Sequence, residues 1–188
     1  MNPFLNPVFL GFTLKNYLVD IDRMWRISPK KLQTYADKAF QKIVRYADTI
    51  PVYHDKYQQA NIHPQMIKGL CDISHLPVIT KQDFRGYYPQ GLLPPGFNME
   101  KALLVSTSGS TGQPVSLYSD PYTIVKSLMG FIRELREYNI SWRKHKITII
   151  VDLTPESAEE AYLARYTLPF LGRAVSLKNL QVLHVGDP

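Results

Sequence analysis

Ser106 to Pro114 reads STSGSTGQP and lies between two short apolar runs, Ala102-Leu103-Leu104-Val105 and Val115 with Leu117. Seven of its nine residues are Ser, Thr or Gly, and only the closing Pro114 is apolar. A loop of this kind offers several hydroxyls and a backbone whose N–H groups can converge into an anion-binding concavity. Gly109 and Gly112 allow positive φ and close approach of a ligand to the main chain. The pattern points to a phosphate site, and its surroundings exclude two common versions. A Walker A loop needs four residues between its glycines, then Lys and Ser or Thr, ahead of a helix. Here two residues separate Gly109 from Gly112, Gln113 follows, and a strand comes next. A dinucleotide fingerprint also requires a following helix.

Working outward, residues 102–105 are expected to form a buried strand, and Val115 and Leu117, alternating with Ser116, a returning one. Ser119 or Asp120 can cap a helix opened by Pro121, with Ile124, Leu128, Phe131, Ile132 and Leu135 on its inner side. Arg133, Glu134, Arg136 and Glu137 then read as a solvated face with local ion pairs. Ile147–Val151 is expected to be a buried strand, Thr154-Pro155-Glu156 to open a helix with Tyr162, Leu163 and Tyr166 inward, ending near Gly172, and Leu180–Val185 to form a further strand. Strand, helix, strand is the pattern of a βαβ unit with a parallel sheet. The chain stops at Gly186-Asp187-Pro188, where the next helix is due, so the sheet reads as cut short.

Toward the N-terminus, Ser28-Pro29 has the form of an N-cap with proline at the first helical position. Leu32, Ala36, Phe40, Ile43 and Ala47 recur at helical spacing, and that helix should end before Pro51. Tyr53, Tyr57 and Ile62 suggest a second short helix with core aromatics, interrupted at Pro64. Thr80 and Asp83 have capping-box spacing after an extended Leu76–Ile79. Pro89 to Gly96 reads as a loop. Residues 1–14 are expected to pack on their own domain, Trp25 and Trp142 to act as packing anchors, and Cys71 to be semi-buried.

At 188 residues and 45% hydrophobic content the chain can bury a sizeable core. Its net charge of +6 comes from 22 Lys and Arg that are spread out, with no run longer than Lys30-Lys31, so nucleic acid is not the first reading. The lone Cys71 excludes an internal disulfide and supplies no metal cluster. His54, His63, His75, His145 and His184 lack metal-ligand spacing. The apolar start lacks the basic region and cleavage site of a signal peptide, and no stretch approaches the length of a membrane span. A cytoplasmic location without nucleic-acid or membrane partners is the default. Asp152 and Asp187 fall at strand ends, where α/β ligands bind, although loop capping explains both.

The loop resembles the Ser/Thr/Gly-rich phosphate signature of the adenylate-forming, AMP-forming ligase superfamily, usually SGTTG or SGSTG followed closely by Pro. The serial order IPVYHDKY (50–57), LPVITKQDFRGYYPQGL (76–92) and the loop is similar to the phenylacetate–CoA ligase and capsule-biosynthesis-type branch. The resemblance covers residues 40–120 well, and the remainder to 188 is compatible with it. It implies an α/β fold class: the N-terminal part of the family's large domain, a helical region (1–75) followed by a partly parallel sheet with flanking helices (76–188), incomplete and lacking the C-terminal lid. It further implies that a small-molecule carboxylic acid attacks the α-phosphate of ATP, and that coenzyme A captures the acyl group. Thr107, Ser108, Gly109, Ser110, Thr111, Gly112 and Gln113 would bind the nucleotide phosphates, with Mg²⁺ neutralising their charge. No catalytic residue and no metal ligand is assigned.

Relatives commonly carry Lys near the loop's end, where Gln113 and Val115 stand; Lys101 or Lys126 could compensate. Motifs for adenine, ribose, the acidic metal ligand and the lid lysine fall beyond Pro188, so the expected reading is an N-terminal portion of a ligase, inactive alone, whose partner is a second copy or a missing C-terminal half. The competing readings are an acyl-protein synthetase-like fragment, a non-catalytic nucleotide-binding or interaction remnant, an ordinary Ser/Thr/Gly-rich hairpin turn at the loop, and, on charge alone, a nucleic-acid binder.

Overall fold

The computed structural model describes residues 6–107, 114–141, 144–153 and 178–185. The central loop residues Ser108–Gln113, Trp142, the helix expected from Thr154 to Gly172 with Tyr162, Leu163 and Tyr166, and Asp187 lie outside them, as do the side chains of Lys101 and Ile124. Helices dominate the first half, and short strands enter after residue 102: α1 (Pro7–Lys15), which continues as a π-helical turn Asn16–Asp20, α2 (Arg23–Arg26), α3 (Pro29–Ala47), α4 (Pro51–Gln59), α5 (Lys81–Tyr87), β1 (Leu103–Ser106), β2 (Ser116–Ser119), α6 (Pro121–Glu137), β3 (Ile147–Val151) and β4 (Leu180–His184). The chain divides into two compact units, one of Met1–Arg23, Met99–Pro114 and Tyr118–Pro188, the other of Met24–Asn98 and Val115–Leu117.

In the helical unit, α3 starts where the sequence predicts: the Ser28 side chain accepts a hydrogen bond from the Lys31 N–H and Pro29 opens the first turn. Its inner face differs from expectation. Val44 is 2% exposed and Ile43 63% exposed, so the core side runs Phe40, Val44, Ala47. With 3.6 residues per turn, the step after Phe40 can be three or four, and here four points inward. Val44, Ala47, Tyr57 and Ile67 form the buried cluster, with Phe40, Tyr53, Ile62 and Leu76 packed against it. Tyr53 and Tyr57 are core residues as expected. Burial raises the pKa of both hydroxyls.

The connection after this cluster is fastened to α3. The Asp37 carboxylate accepts the Leu70 N–H at 3.0 Å, and Gln41 Nε2 donates to the Lys68 carbonyl. A Cβ on Gly69 would lie 2.5 Å from Asp37 Oδ1, so a larger residue here would push the Asp37 side chain aside. Asp72 Oδ2 accepts the Lys68 and Gly69 N–H groups at 2.6 and 3.3 Å. Two sequence expectations fail here. Cys71 is exposed, because the 3-10 turn Leu70–His75 runs along the surface, and Trp25 is 60% exposed rather than an anchor. The loop from Pro89 to Gly96 carries a short 3-10 turn, Gln90–Leu92, and Gly96 adopts φ +76°.

In the other unit, α1 and its π-helical turn pack on α6, so the N-terminal segment is part of its own domain. Phe9, Ile21, Val125 and Met129 form the buried cluster, with Phe12, Tyr17, Leu128 and Ile132 around it. The inner face of α6 is centred on Val125 and Met129, and Phe131 is exposed. The charged side of α6 is not simply solvated: Arg133 Nε donates to the Ile21 carbonyl at 2.9 Å, and Arg136 pairs with Asp22 at 2.7 Å above the Tyr17 ring. Burial pulls the Arg136 pKa down, but the Asp22 carboxylate and the Tyr17 hydroxyl carry it above its ordinary value.

β3 and β4 are parallel, in register from Ile147 opposite Leu180 to Val151 opposite His184. The expected parallel pairing is therefore present, although neither strand is buried on both faces. Ile147, Ile149 and Val151 are half-buried and Ile150 is 67% exposed, so the apolar run ITIIV alternates in burial.

Candidate functional site

β1 and β2 pair in a two-stranded sheet, and the Ser/Thr/Gly-rich loop is the connection between them. Leu103 is buried in β1 while Leu104 is exposed, and Val115 is buried just ahead of β2 while Leu117 is exposed. The expected fully buried first strand is thus half-buried, and the inward residues of the returning segment are Val115 and Ser119 rather than Val115 and Leu117. Asp120, not Ser119, is the N-cap of α6, its carboxylate accepting the Thr123 N–H at 2.8 Å with Pro121 in the first turn.

Of the predicted phosphate-binding residues, Thr107 is described and lies exposed at the end of β1; Ser108, Gly109, Ser110, Thr111, Gly112 and Gln113 lie outside the described residues. The donor set itself, hydroxyls and glycine N–H groups without carboxylates, suits phosphate oxygens. Of the cations considered as substitutes for the missing lysine, Lys126 bonds to the side-chain oxygen of buried Asn16 and sits 5.3 Å from the Phe12 ring centroid. Asn16 in turn donates to the Phe12 carbonyl at 2.7 Å. Lys126 thus serves the N-terminal packing. No group of three or more His, Cys, Asp or Glu able to hold a metal occurs among the described residues.

The other segments of the sequence signature meet each other in the helical unit. IPVYHDKY forms α4 and LPVITKQDFRGYY forms the extended entry and α5. Tyr87 donates to Asp55 at 2.6 Å, Lys56 pairs with Asp83 at 2.8 Å, and the Tyr53 and Phe84 rings meet edge-on at 6.2 Å. The capping box is reciprocal: the Thr80 N–H donates to Asp83 Oδ2 at 2.8 Å, and the Asp83 N–H donates to Thr80 Oγ1 at 3.2 Å. The Lys56 ammonium and the Thr80 donors push the Asp83 carboxyl down to about 2. Accepting the Tyr87 hydroxyl, Asp55 raises that phenol above its ordinary value. These partners are about 30 residues apart in sequence, with no local spacing to announce them. These contacts fix the two helices to one another.

At the carboxyl ends of β3 and β4, the Leu153 N–H donates to His184 Nδ1 at 3.0 Å, and Asp152 lies 3.9 Å from the same nitrogen. Three other histidines have partners close in sequence: His54 with Asp48, His75 with Asp72, and His145 with Ser141.

No family model matches the chain. Among curated proteins, it is 29% identical over 96 residues to a phenylacetate-coenzyme A ligase of Escherichia coli, covering 50% of this chain and 22% of that protein. It is 30% identical over 86 residues to the phenylacetate-coenzyme A ligase of Thermus thermophilus, covering 45% and 19%. This chain is similar in sequence to phenylacetate-coenzyme A ligases over about half of its length. Among solved structures, it superimposes on 2-hydroxyisobutyryl-CoA ligase in its postadenylation state with a TM-score of 0.62 and 17% identity, over 86% of this chain and 33% of the other. The thioesterification state of that ligase, with its acyl-AMP and CoA, gives 0.61 and 19% over 86% and 34%. The matching fold is the N-terminal portion of the adenylate-forming ligase architecture, with mixed helices and small sheets. The chain matches about a fifth of the length of these curated relatives and a third of the structural ones.

Proposed function

We propose that this chain is the N-terminal portion of an AMP-forming acid–thiol ligase, with residues 1–75 as its helical region and 76–188 as the start of its adenylating domain. The observation that carries this reading is the STSGSTGQP connection between paired β1 and β2 in a chain similar to CoA ligases in sequence and fold. In this reading Thr107, Ser108, Gly109, Ser110, Thr111, Gly112 and Gln113 bind the β and γ phosphates of ATP through hydroxyl and backbone donors. Gln113 donates hydrogen bonds without a charge, so the loop relies on dipoles more than on cations. Fixed donors of this kind act by positioning and by stabilising charge on the leaving pyrophosphate. The substrate is a small carboxylic acid and the acceptor coenzyme A. Mg²⁺ accompanies the nucleotide and neutralises phosphate charge.

The chain by itself does not form acyl-adenylate, because closure of a lid completes such sites and excludes water. Two measurements test the reading. ATP should raise the melting temperature of the purified chain, since a ligand that binds only the folded state stabilises it; no shift at saturating ATP contradicts the nucleotide role. Carboxylate-dependent ATP–pyrophosphate exchange should be undetectable, and its detection would overturn the inactivity of the chain alone.

A further inference from the structure

The outer face of α3 carries chemistry that the nucleotide reading does not use. Lys31, Lys38, Lys42 and Arg45 follow steps of seven, four and three residues, which at 3.6 residues per turn places them on one ridge. That ridge lies opposite the core side of Phe40, Val44 and Ala47. All four side chains are exposed, and among the described residues no carboxylate pairs with any of them. The helix holds one acid, Asp37, and its carboxylate is occupied by Gln33 and the Leu70 N–H. The cations extend for about 21 Å along the axis. Alongside them, on one flank only, Tyr35, Ile43 and Tyr46 are exposed to 47, 63 and 57%.

We propose that this face of α3 docks on an anionic lipid surface. The charge ridge is complementary to anionic headgroups, and the apolar flank distinguishes a bilayer from other polyanions. A phosphate backbone or polyglutamate offers an exposed isoleucine no apolar partner; in a bilayer it enters the boundary between headgroups and acyl chains, with the tyrosines at headgroup level. Lysine and arginine stems reach from a helix lying flat to the charged layer. The contact is peripheral, since no described helix is long and apolar enough to cross a membrane.

The test is sedimentation of the full chain with phosphatidylcholine vesicles and with vesicles containing about 30% phosphatidylglycerol, at about 0.1 M and 0.5 M salt. Binding is expected to the anionic vesicles only and to weaken at high salt. Lys38→Glu/Lys42→Glu should weaken it by at least about tenfold, and Ile43→Ser should weaken it by a smaller factor. These substitutions are on the exposed face, and an unchanged circular dichroism spectrum verifies the fold of each. Equal binding to neutral vesicles, unchanged binding of either variant, or retention by an RNA oligomer or polyglutamate with none by vesicles would each overturn the proposal.

Discussion

The α4–α5 contact and the β1–β2 connection use their polar residues differently. Between α4 and α5, polar side chains are paired inside the protein: Lys56 with Asp83, and Asp55 with the Tyr87 hydroxyl. These contacts fasten two helices to one another. The loop following β1 contains hydroxyls and glycines with no acid or base among them. Residues of that type contribute little to a core, and their combination has its clearest rationale in a bound anion. Polar residues can therefore serve the architecture, as between α4 and α5, or a ligand, as proposed for the loop.

The contrast is sharpened by substitutions that separate stability from ligand binding. The largest stability effect is expected in the helical core: Ile67→Ala should cost about 2–5 kcal/mol in urea unfolding, with ATP affinity per folded molecule unchanged. Gly69→Ala should cost about 1–3 kcal/mol by forcing Asp37 off the Leu70 N–H. Thr80→Ala removes the cap of α5 and should cost about 1 kcal/mol. In each case a change in intrinsic nucleotide affinity, rather than in folded fraction, would break the division between the two regions.

The same network carries opposite pH signatures at its two ends. The Asp83 carboxyl is lowered from 3.8 to about 2 in the folded chain, so its contribution is fully present above about 4 and is lost as pH falls toward 2. Asp83→Asn should lower stability at neutral pH and flatten the acid limb in that window. Tyr87 is raised above 10.0, so its contribution is present below that pH and is lost in more alkaline solution. Tyr87→Phe should remove this alkaline dependence. The smallest stability effect is expected in the loop, where Ser110→Ala/Thr111→Ala should shift unfolding by less than about 0.5 kcal/mol.

Features set by neighbours in sequence were the most legible. Ser28 with Pro29, Thr80 with Asp83, and Asp120 with Pro121 cap helices as their spacing indicates, because a cap is formed within one turn. The parallel pairing of β3 and β4 was legible from the strand–helix–strand order. Helix faces were less so: Ile43 and Val44 are both apolar, and only the packing of Ile67 and Tyr57 selects Val44. Ile150 shows the same limit in a strand, since apolar character alone does not say which face is covered. Asp55 with Tyr87 and Arg136 with Asp22, 32 and 114 residues apart, are long-range pairs without a local signal. In the candidate site, residue type indicated phosphate chemistry, whereas the role of Lys126 emerged only from its bond to Asn16.

Calorimetric titration of the chain with pyrophosphate, beside the Ser110→Ala/Thr111→Ala variant, tests the central claim most directly. Saturable binding by the parent, weakened at least about tenfold (about 1.4 kcal/mol) in an equally folded variant, is the predicted result. No saturable binding by the folded parent, or equal binding by the variant, would contradict the assignment of the β1–β2 connection as the phosphate site.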